Sequence, residues 1–170
     1  DIRDAIEVRG TLEGLAARLA AERGPAPDDM GAMRECIDRI DTLLAKAELS
    51  PPSVTHYVTL NARFHALLAQ MSGSPIVQRQ IARAVTLPFA SPNSVMVSNL
   101  SVAKGRDRLV IANAQHRAVL DAIGRGEGAR AQALMQEHAR LAHANLAEAL
   151  SPRPSQRLPG AGLIRRNAAP

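Results

Sequence analysis

One segment of the sequence, residues 30–47, restricts the possible fold more than any other. Its apolar residues alternate steps of three and four, which is the spacing of one face of an α-helix. They are Met30, Met33, Ile37, Ile40, Leu44 and Ala47. No segment shows the strict alternation of apolar and polar residues that marks a half-buried strand. The sequence therefore predicts an all-α protein.

Six helical segments separated by proline, glycine and serine account for residues 1–150. They are predicted at about 2–23, 30–50, 53–72, 75–90, 106–124 and 127–150. We expect Asp28 or Asp29 to cap the second helix, Pro51-Pro52 to end it, and Ser74 to cap the fourth. Residues 91–105 form the longest polar connection and are the candidate mobile loop.

The composition supports closely packed helices. Aromatic residues make up only 2% of the 170 residues and Trp is absent, so the core has to consist of aliphatic side chains and alanine. Alanine has the highest helix propensity and a small side chain, which lets helices approach each other. We predict a single domain over residues 1–150, an antiparallel bundle of about six helices.

The net charge of +5 is concentrated in the last twenty residues. Positions 151–170 contain four arginines, four prolines and no acidic residue. Without those four, 17 basic residues stand against 16 acidic ones, so the bundle has a net charge of only +1. This argues against a DNA-binding face on the bundle. The basic, proline-containing tail at 151–170 is predicted to be disordered.

Several features bear on the cellular compartment. No run of eighteen apolar residues exists, and the first ten residues are charged, so we expect no membrane span and no signal peptide. The single cysteine, Cys36, has no partner for an internal disulfide. These features favour a cytoplasmic protein.

Three histidines occupy the apolar faces of three different predicted helices. His116 lies in the middle of the row 109, 112, 116, 119, 123, and His138 in the middle of the row 131, 134, 138, 141, 145. Asn61 and His65, four residues apart, flank the apolar face of the third helix. Each histidine alone is most simply a hydrogen-bonded core residue. Together, with no carboxylate expected among them, they indicate a site for a divalent cation such as Zn²⁺ or Ni²⁺.

Arg9 interrupts the buried face of the first helix. In one interpretation it forms an ion pair with Glu13, one turn later on the same helix. In the other, its guanidinium faces a bound anion, because its planar donors match the geometry of a carboxylate. The sequence leaves both interpretations open.

Three blocks of the chain resemble a known family. They are "DAIEVRGTLEGLAARLAAERG" at 4–24, "NARFHALLAQMSGSPIV" at 61–77 and "QHRAVLDAIGRGEGARAQALMQEHARLAHANL" at 115–146. In this order and spacing they are similar to the FCD module, the effector-binding domain of the FadR branch of GntR-family bacterial transcription regulators. Six helices rather than seven suggest the shorter, VanR-like variety.

The resemblance implies a ligand set and an effector. The family's metal-binding positions correspond to Asn61, His65, His116 and His138, and the expected ion is Zn²⁺ or Ni²⁺. A small carboxylate effector often completes the coordination. The arginine of the family's "EVR" block matches Arg9. Asn113, three residues before His116, is assigned with Arg9 to effector binding, and the regulator is expected to be a homodimer.

Two departures from the family pattern affect these expectations. Asn61 replaces an aspartate, and a neutral amide oxygen is a weaker metal donor than a carboxylate. The winged helix-turn-helix that normally precedes the module is missing, so we expect this chain to be part of a longer protein. DNA would then be contacted only through that missing N-terminal domain.

Two other functions compete with the sensory one. Three histidines with an open position are also the ligand count of hydrolytic zinc enzymes, but such enzymes need a general base near the bound water. Asn61, Asn113 and Arg9 are not convincing bases, so we predict that the chain is not an enzyme. The third alternative is a structural dimerisation bundle with a vestigial site, which the replacement at position 61 would suit.

Overall fold

Six helices make up the part of the chain that the computed structural model describes, which is residues 2–46, 49–87, 90–93 and 102–149. In the last of these ranges only the side chains of 105–142 are described. The helices are α1 Ile2–Arg23, α2 Pro27–Leu44, α3 Pro51–Met71, α4 Pro75–Ala84, α5 Val102–Gly124 and α6 Gly128–Ala149. These ranges contain no strand. The predicted all-α, single-domain fold is confirmed.

The proline pair at 51–52 begins α3, and the prediction that it ends α2 was wrong. Helix α2 already ends at Leu44. Ser50 is the N-cap of α3, and its side chain accepts a hydrogen bond from the backbone N–H of Ser53. Proline suits the first turn of a helix because the N–H groups there have no intrahelical partner to lose. The same dipeptide can therefore mark either the end or the start of a helix.

Capping at the other two well-marked helix starts was predicted with mixed success. Ser74 caps α4 as expected and accepts a hydrogen bond from the backbone N–H of Val77. In α2 the expected aspartate cap was wrong, because Ala26 is the N-cap residue and makes no side-chain cap. Asp28 and Asp29 instead lie inside the first turn, where their negative charge favours the positive end of the helix dipole.

The predicted boundaries around the long connection differ from the observed ones. Helix α4 ends at Ala84 rather than near residue 90, and α5 begins at Val102 rather than near 106. Residues 94–101 of the predicted loop, and the tail at 151–170, lie outside the described residues. No helix among the described residues is long and apolar enough to cross a membrane.

Close packing between α1 and α6 brings the polar residues of α1 into the bundle. A Cβ atom built on Gly10 would lie only 2.6 Å from the Cβ of Ala139, so glycine permits the two helices to approach this closely. Helix α1 also contacts α3, α4 and α5. Because α1 is surrounded in this way, Arg9 and Glu13 are fully buried together with its alanines.

Candidate metal centre

The three inward-facing histidines meet in the bundle interior. His65 lies on α3, His116 on α5 and His138 on α6, and all three are buried. One ring nitrogen from each lies within 4.8 Å of the other two. We refer to these residues as the histidine cluster. The expectation that three distant segments would bring their imidazoles together therefore describes the structure correctly.

Each Nδ1 atom of the histidine cluster faces an oxygen acceptor. His65 Nδ1 is 2.8 Å from Glu13 Oε1, and His138 Nδ1 is 3.1 Å from Gln115 Oε1. His116 Nδ1 is 3.3 Å from Asn113 Oδ1. Donation to these oxygens requires a proton on every Nδ1, so every Nε2 presents a lone pair. Histidines that bind metals are usually held in this way by an acceptor on the other ring nitrogen.

The Nε2 atoms have no adequate partner among the residues that the structure describes. His116 Nε2 and His138 Nε2 are 3.2 Å apart, and His65 Nε2 is buried without a hydrogen bond. Two lone pairs at this separation repel each other unless a proton or a cation lies between them. Two nitrogens bound to one tetrahedral ion at about 2.0–2.1 Å would themselves be about 3.3–3.4 Å apart. The spacing of the two imidazoles therefore fits a shared metal ion.

Protonation does not readily relieve this repulsion. Burial is the main cause that lowers the pKa of His116 well below its usual value, and the charges of the other two histidines lower it further. Burial, together with His65, lowers the pKa of His138 to about 3 despite the opposing effect of Glu13. Both rings are therefore neutral at physiological pH, which is the form that binds metals.

Asn61 is a second buried polar residue on α3. It lies one helical turn before His65 on α3 and is fully buried. Its Nδ2 donates to Asn93 Oδ1 at 2.8 Å, while Asn93 Nδ2 donates to the carbonyl of Val58 at 3.1 Å. The carbonyl can only accept, so it fixes the orientation of both amides. Asn61 Oδ1 consequently points away from Asn93, and no described residue forms a hydrogen bond with this buried atom.

A carboxylate lies against the histidine cluster, contrary to the expectation that none would. Glu13 is completely buried on α1, and its Oε1 accepts a hydrogen bond from His65 Nδ1 at 2.8 Å. Burial alone would raise the pKa of Glu13, but His65 and Arg9 lower it to about 2. The sequence did place Glu13 one turn after Arg9, but only as its ion-pair partner. Its contact with His65 joins positions 52 residues apart, which helical periodicity cannot reveal.

The two interpretations of Arg9 are compatible in the structure. Arg9 Nη1 is 3.8 Å from Glu13 Oε2, so the predicted ion pair is present, and both side chains are buried. However, Arg9 Nε and Nη1 and Glu13 Oε2 have no hydrogen-bond partner in the described part of the chain. Buried guanidinium donors without acceptors are costly. Arg9 is therefore paired in charge and still has donors for an anionic ligand.

The amide of Asn113 already has protein partners. Its Nδ2 donates to the carbonyl of Ile37 and to Asp41 Oδ1 on α2, and its Oδ1 faces His116. Asp41 is in turn paired with Arg117 at the surface. These contacts orient His116, while the effector-binding role assigned to Asn113 stays a prediction.

The residues present fit a divalent metal ion. Three neutral imidazoles, each held through Nδ1, form a nitrogen donor set that suits Zn²⁺ or Ni²⁺. Asn61, one helical turn before His65, offers an unpartnered amide oxygen. The unpartnered His65 Nε2 and Asn61 Oδ1 are buried polar atoms that an ion would satisfy. The described residues thus contain a site that could hold a metal.

Comparison with known proteins identifies the family. The family model for the FCD domain matches residues 4–141, which is most of the chain. No curated protein matches the sequence. FCD domains are the ligand-sensing regulatory domains of GntR-family transcription regulators, and a regulatory module accords with the expectation that the chain is not an enzyme. The chain belongs to the FCD domain family.

Proposed function

We propose that the chain senses a small carboxylate effector in the bundle interior with the help of a bound divalent metal ion, Zn²⁺ or Ni²⁺. His65, His116, His138 and Asn61 would hold the ion, and Arg9 would bind the effector. In the complete regulator, a homodimer in the cytoplasm, this event would control DNA binding by an N-terminal winged helix-turn-helix domain.

The observation that carries the proposal is the common orientation of the three imidazoles. Three Nδ1 atoms face oxygen acceptors on α1 and α5, which leaves three Nε2 lone pairs in one small volume. A core histidine that serves only packing needs partners for both nitrogens. Here one ring nitrogen of the set has none, and a metal ion provides what is missing.

The ion and Arg9 would divide the work of effector binding. A bound divalent ion attracts a carboxylate oxygen as a Lewis acid. Arg9 supports this with Nε and Nη1 donors that lack acceptors. Glu13 keeps His65 in the required tautomer and offsets the charge of Arg9. Both polar residues of α1 therefore prepare the site without being metal ligands.

Signalling requires that the effector bind two arrangements of the helices with different affinity. The residues of the proposed site come from α1, α3, α5 and α6. A ligand that contacts several helices at once changes their relative free energies. A change of helix positions in each protomer would then alter the spacing of the DNA-binding domains in the dimer.

For the metalloenzyme alternative, the structure places a carboxylate near the histidine cluster, but that carboxylate is not an effective general base. Glu13 is the closest candidate, because it lies beside His65. Its pKa of about 2 makes it a weak proton acceptor at neutral pH. Its Oε1 is also already occupied by the histidine ring. No observation on the described residues favours catalysis over sensing.

The test of metal binding is elemental analysis of protein purified without a polyhistidine tag. We expect about one Zn²⁺ or Ni²⁺ per chain, as a single site predicts, and loss of most of this metal in His116→Ala. The matched control is His56→Ala, which removes an exposed histidine of α3. Metal absent from the wild-type protein even after incubation with either ion, combined with normal stability, would instead favour the structural bundle with a vestigial site.

Effector binding is tested by thermal unfolding with a panel of small organic acids. We expect at least one acid to raise the unfolding temperature of the metal-loaded protein but not that of the metal-free protein. Arg9→Gln should abolish this increase. The regulatory step fails if such a ligand leaves the DNA affinity of the full-length regulator unchanged.

A further inference from the structure

The four proposed ligand atoms carry no negative charge, and this has a consequence for the effector. Each histidine binds a metal as a neutral ring, and Asn61 offers a neutral amide oxygen. Glu13 is negative but faces Arg9 at 3.8 Å, so these two charges cancel each other.

We infer that the site selects a dianionic effector, such as a dicarboxylate, over a monocarboxylate. This inference rests on the proposed function. A buried divalent ion among neutral ligands leaves two positive charges that the side chains do not offset. Buried charge that stays uncompensated is strongly unfavourable. A ligand with two negative charges neutralises the site, whereas a monoanion leaves one positive charge.

The neutral state of position 61 is built into its surroundings. Val58 fixes Asn93, whose Oδ1 faces position 61 and can only accept a hydrogen bond. Only a donor at position 61 satisfies that oxygen, and the amide of Asn61 provides one. An aspartate at position 61 would place one of its oxygens against Asn93 Oδ1, and neither oxygen can donate. The alternative is that Asn93 rotates its amide and loses the hydrogen bond to the carbonyl of Val58. The contact with Asn93 therefore favours a neutral residue.

Arg9 provides another reason to expect that the effector carries two carboxylates. The guanidinium is buried on α1, yet Nε and Nη1 lack acceptors. Its contact with Glu13 is an ion pair at 3.8 Å and not a hydrogen bond. One carboxylate of the effector can satisfy these donors while the other lies at the ion. A monocarboxylate can meet only one of the two requirements fully.

The experiment measures the affinity of Zn²⁺-loaded protein for matched pairs of acids by calorimetry. The pairs are malonate with propionate, succinate with butyrate, and glutarate with valerate, so that chain length is the same within a pair. We expect at least one dicarboxylate to bind about tenfold or more tightly than its partner, because one extra charge interacts strongly at a poorly solvated site. Metal-free protein serves as the control for binding outside the site.

Two variants identify the cause of this preference. Asn61→Asp adds one negative charge at almost constant shape, and it should reduce the preference for the dianion by about tenfold. Asn93→Ala removes the partner of Asn61 without adding a charge. It should change the affinity for Zn²⁺ but leave the preference for a dicarboxylate over a monocarboxylate unaltered. Far-ultraviolet circular dichroism establishes whether each variant is folded. If a variant does not fold, the ratio of the two affinities within each acid pair, measured on the wild-type protein, still tests the inference.

The possible outcomes separate the two proposals. Equal affinity within all three pairs, with metal bound through the histidines, overturns the dianion inference and leaves the metal-dependent sensor intact. An unchanged preference in Asn61→Asp overturns the role given to position 61. Failure of the wild-type protein to bind metal overturns the proposed function together with this inference.

Discussion

Replacing Glu13 by glutamine tests the electrostatics of the site most directly. The change keeps the size and shape of the side chain, and the remaining oxygen can still accept the hydrogen bond from His65. What disappears is the negative charge between His65 and Arg9. Lowering the pKa of this fully buried carboxyl from 4.5 to about 2 corresponds to about 3 kcal/mol in favour of the ionised form. Removing one partner of a buried ion pair costs a similar amount, about 3–5 kcal/mol.

We therefore expect Glu13→Gln to reduce the free energy of unfolding of the metal-free protein by about 3 kcal/mol at neutral pH. The folded-state pKa lies below the unfolded value, so this contribution is fully present above pH 4.5 and is lost as the pH falls towards about 2. The difference in the free energy of unfolding between Glu13→Gln and the wild type should therefore become smaller as the pH falls from 4.5 towards about 2. Urea unfolding at about pH 7, 4 and 3, with the metal chelated, measures it.

The matched control for this variant is Glu22→Gln on the same helix. Glu22 is paired with Arg18 at 3.6 Å, but both side chains are exposed. An exposed pair of this kind contributes less than about 1 kcal/mol, so the control should unfold almost like the wild type. The reasoning is refuted if the two variants are equally stable at neutral pH, or if the effect of Glu13→Gln is as large in acid as at neutral pH.

Four further substitutions have defined outcomes. Gly10→Ala should reduce stability by about 1–3 kcal/mol in urea unfolding, because its Cβ would lie 2.6 Å from a side-chain carbon of α6. The same change at Gly31, which has nothing within 4 Å, should instead stabilise the protein by up to about 1 kcal/mol. Tyr57→Phe removes a buried hydroxyl without a partner, so it should leave the unfolding temperature unchanged or raise it. Asn113→Leu should weaken Zn²⁺ binding by about 10–100-fold in a chelator competition, because it removes the acceptor of His116.

The sequence predicted the helices well because their signals are local. The regular spacing in α2 placed Met33, Ile37, Ile40 and Leu44 on one face, and all four are buried. Boundaries were less accurate where one residue type serves two purposes. Proline is compatible with a helix start and also follows helix ends, and the sequence alone could not show that Pro51-Pro52 begins α3.

The candidate site could be predicted only as far as helical faces allow. Periodicity identified the inward direction of the three histidines, since His116 and His138 lie in the middle of apolar rows. It could not supply partners that depend on tertiary packing. Glu13 reaches His65 from α1 because α1 packs directly against α3. Asn93 reaches Asn61 from a bend and turn at residues 91–93, where sequence spacing carries no directional information.

The contacts of the histidine cluster explain how occupancy of the site could influence helices that bear no ligand. His116 is oriented by Asn113, and Asn113 donates to Asp41 on α2. On the other side His65 is oriented by Glu13 on α1. Any displacement of an imidazole towards a bound ion must lengthen or shorten these hydrogen bonds. The relative free energies of two helix arrangements therefore depend on what occupies the centre, and that dependence is what an effector needs in order to select one of them.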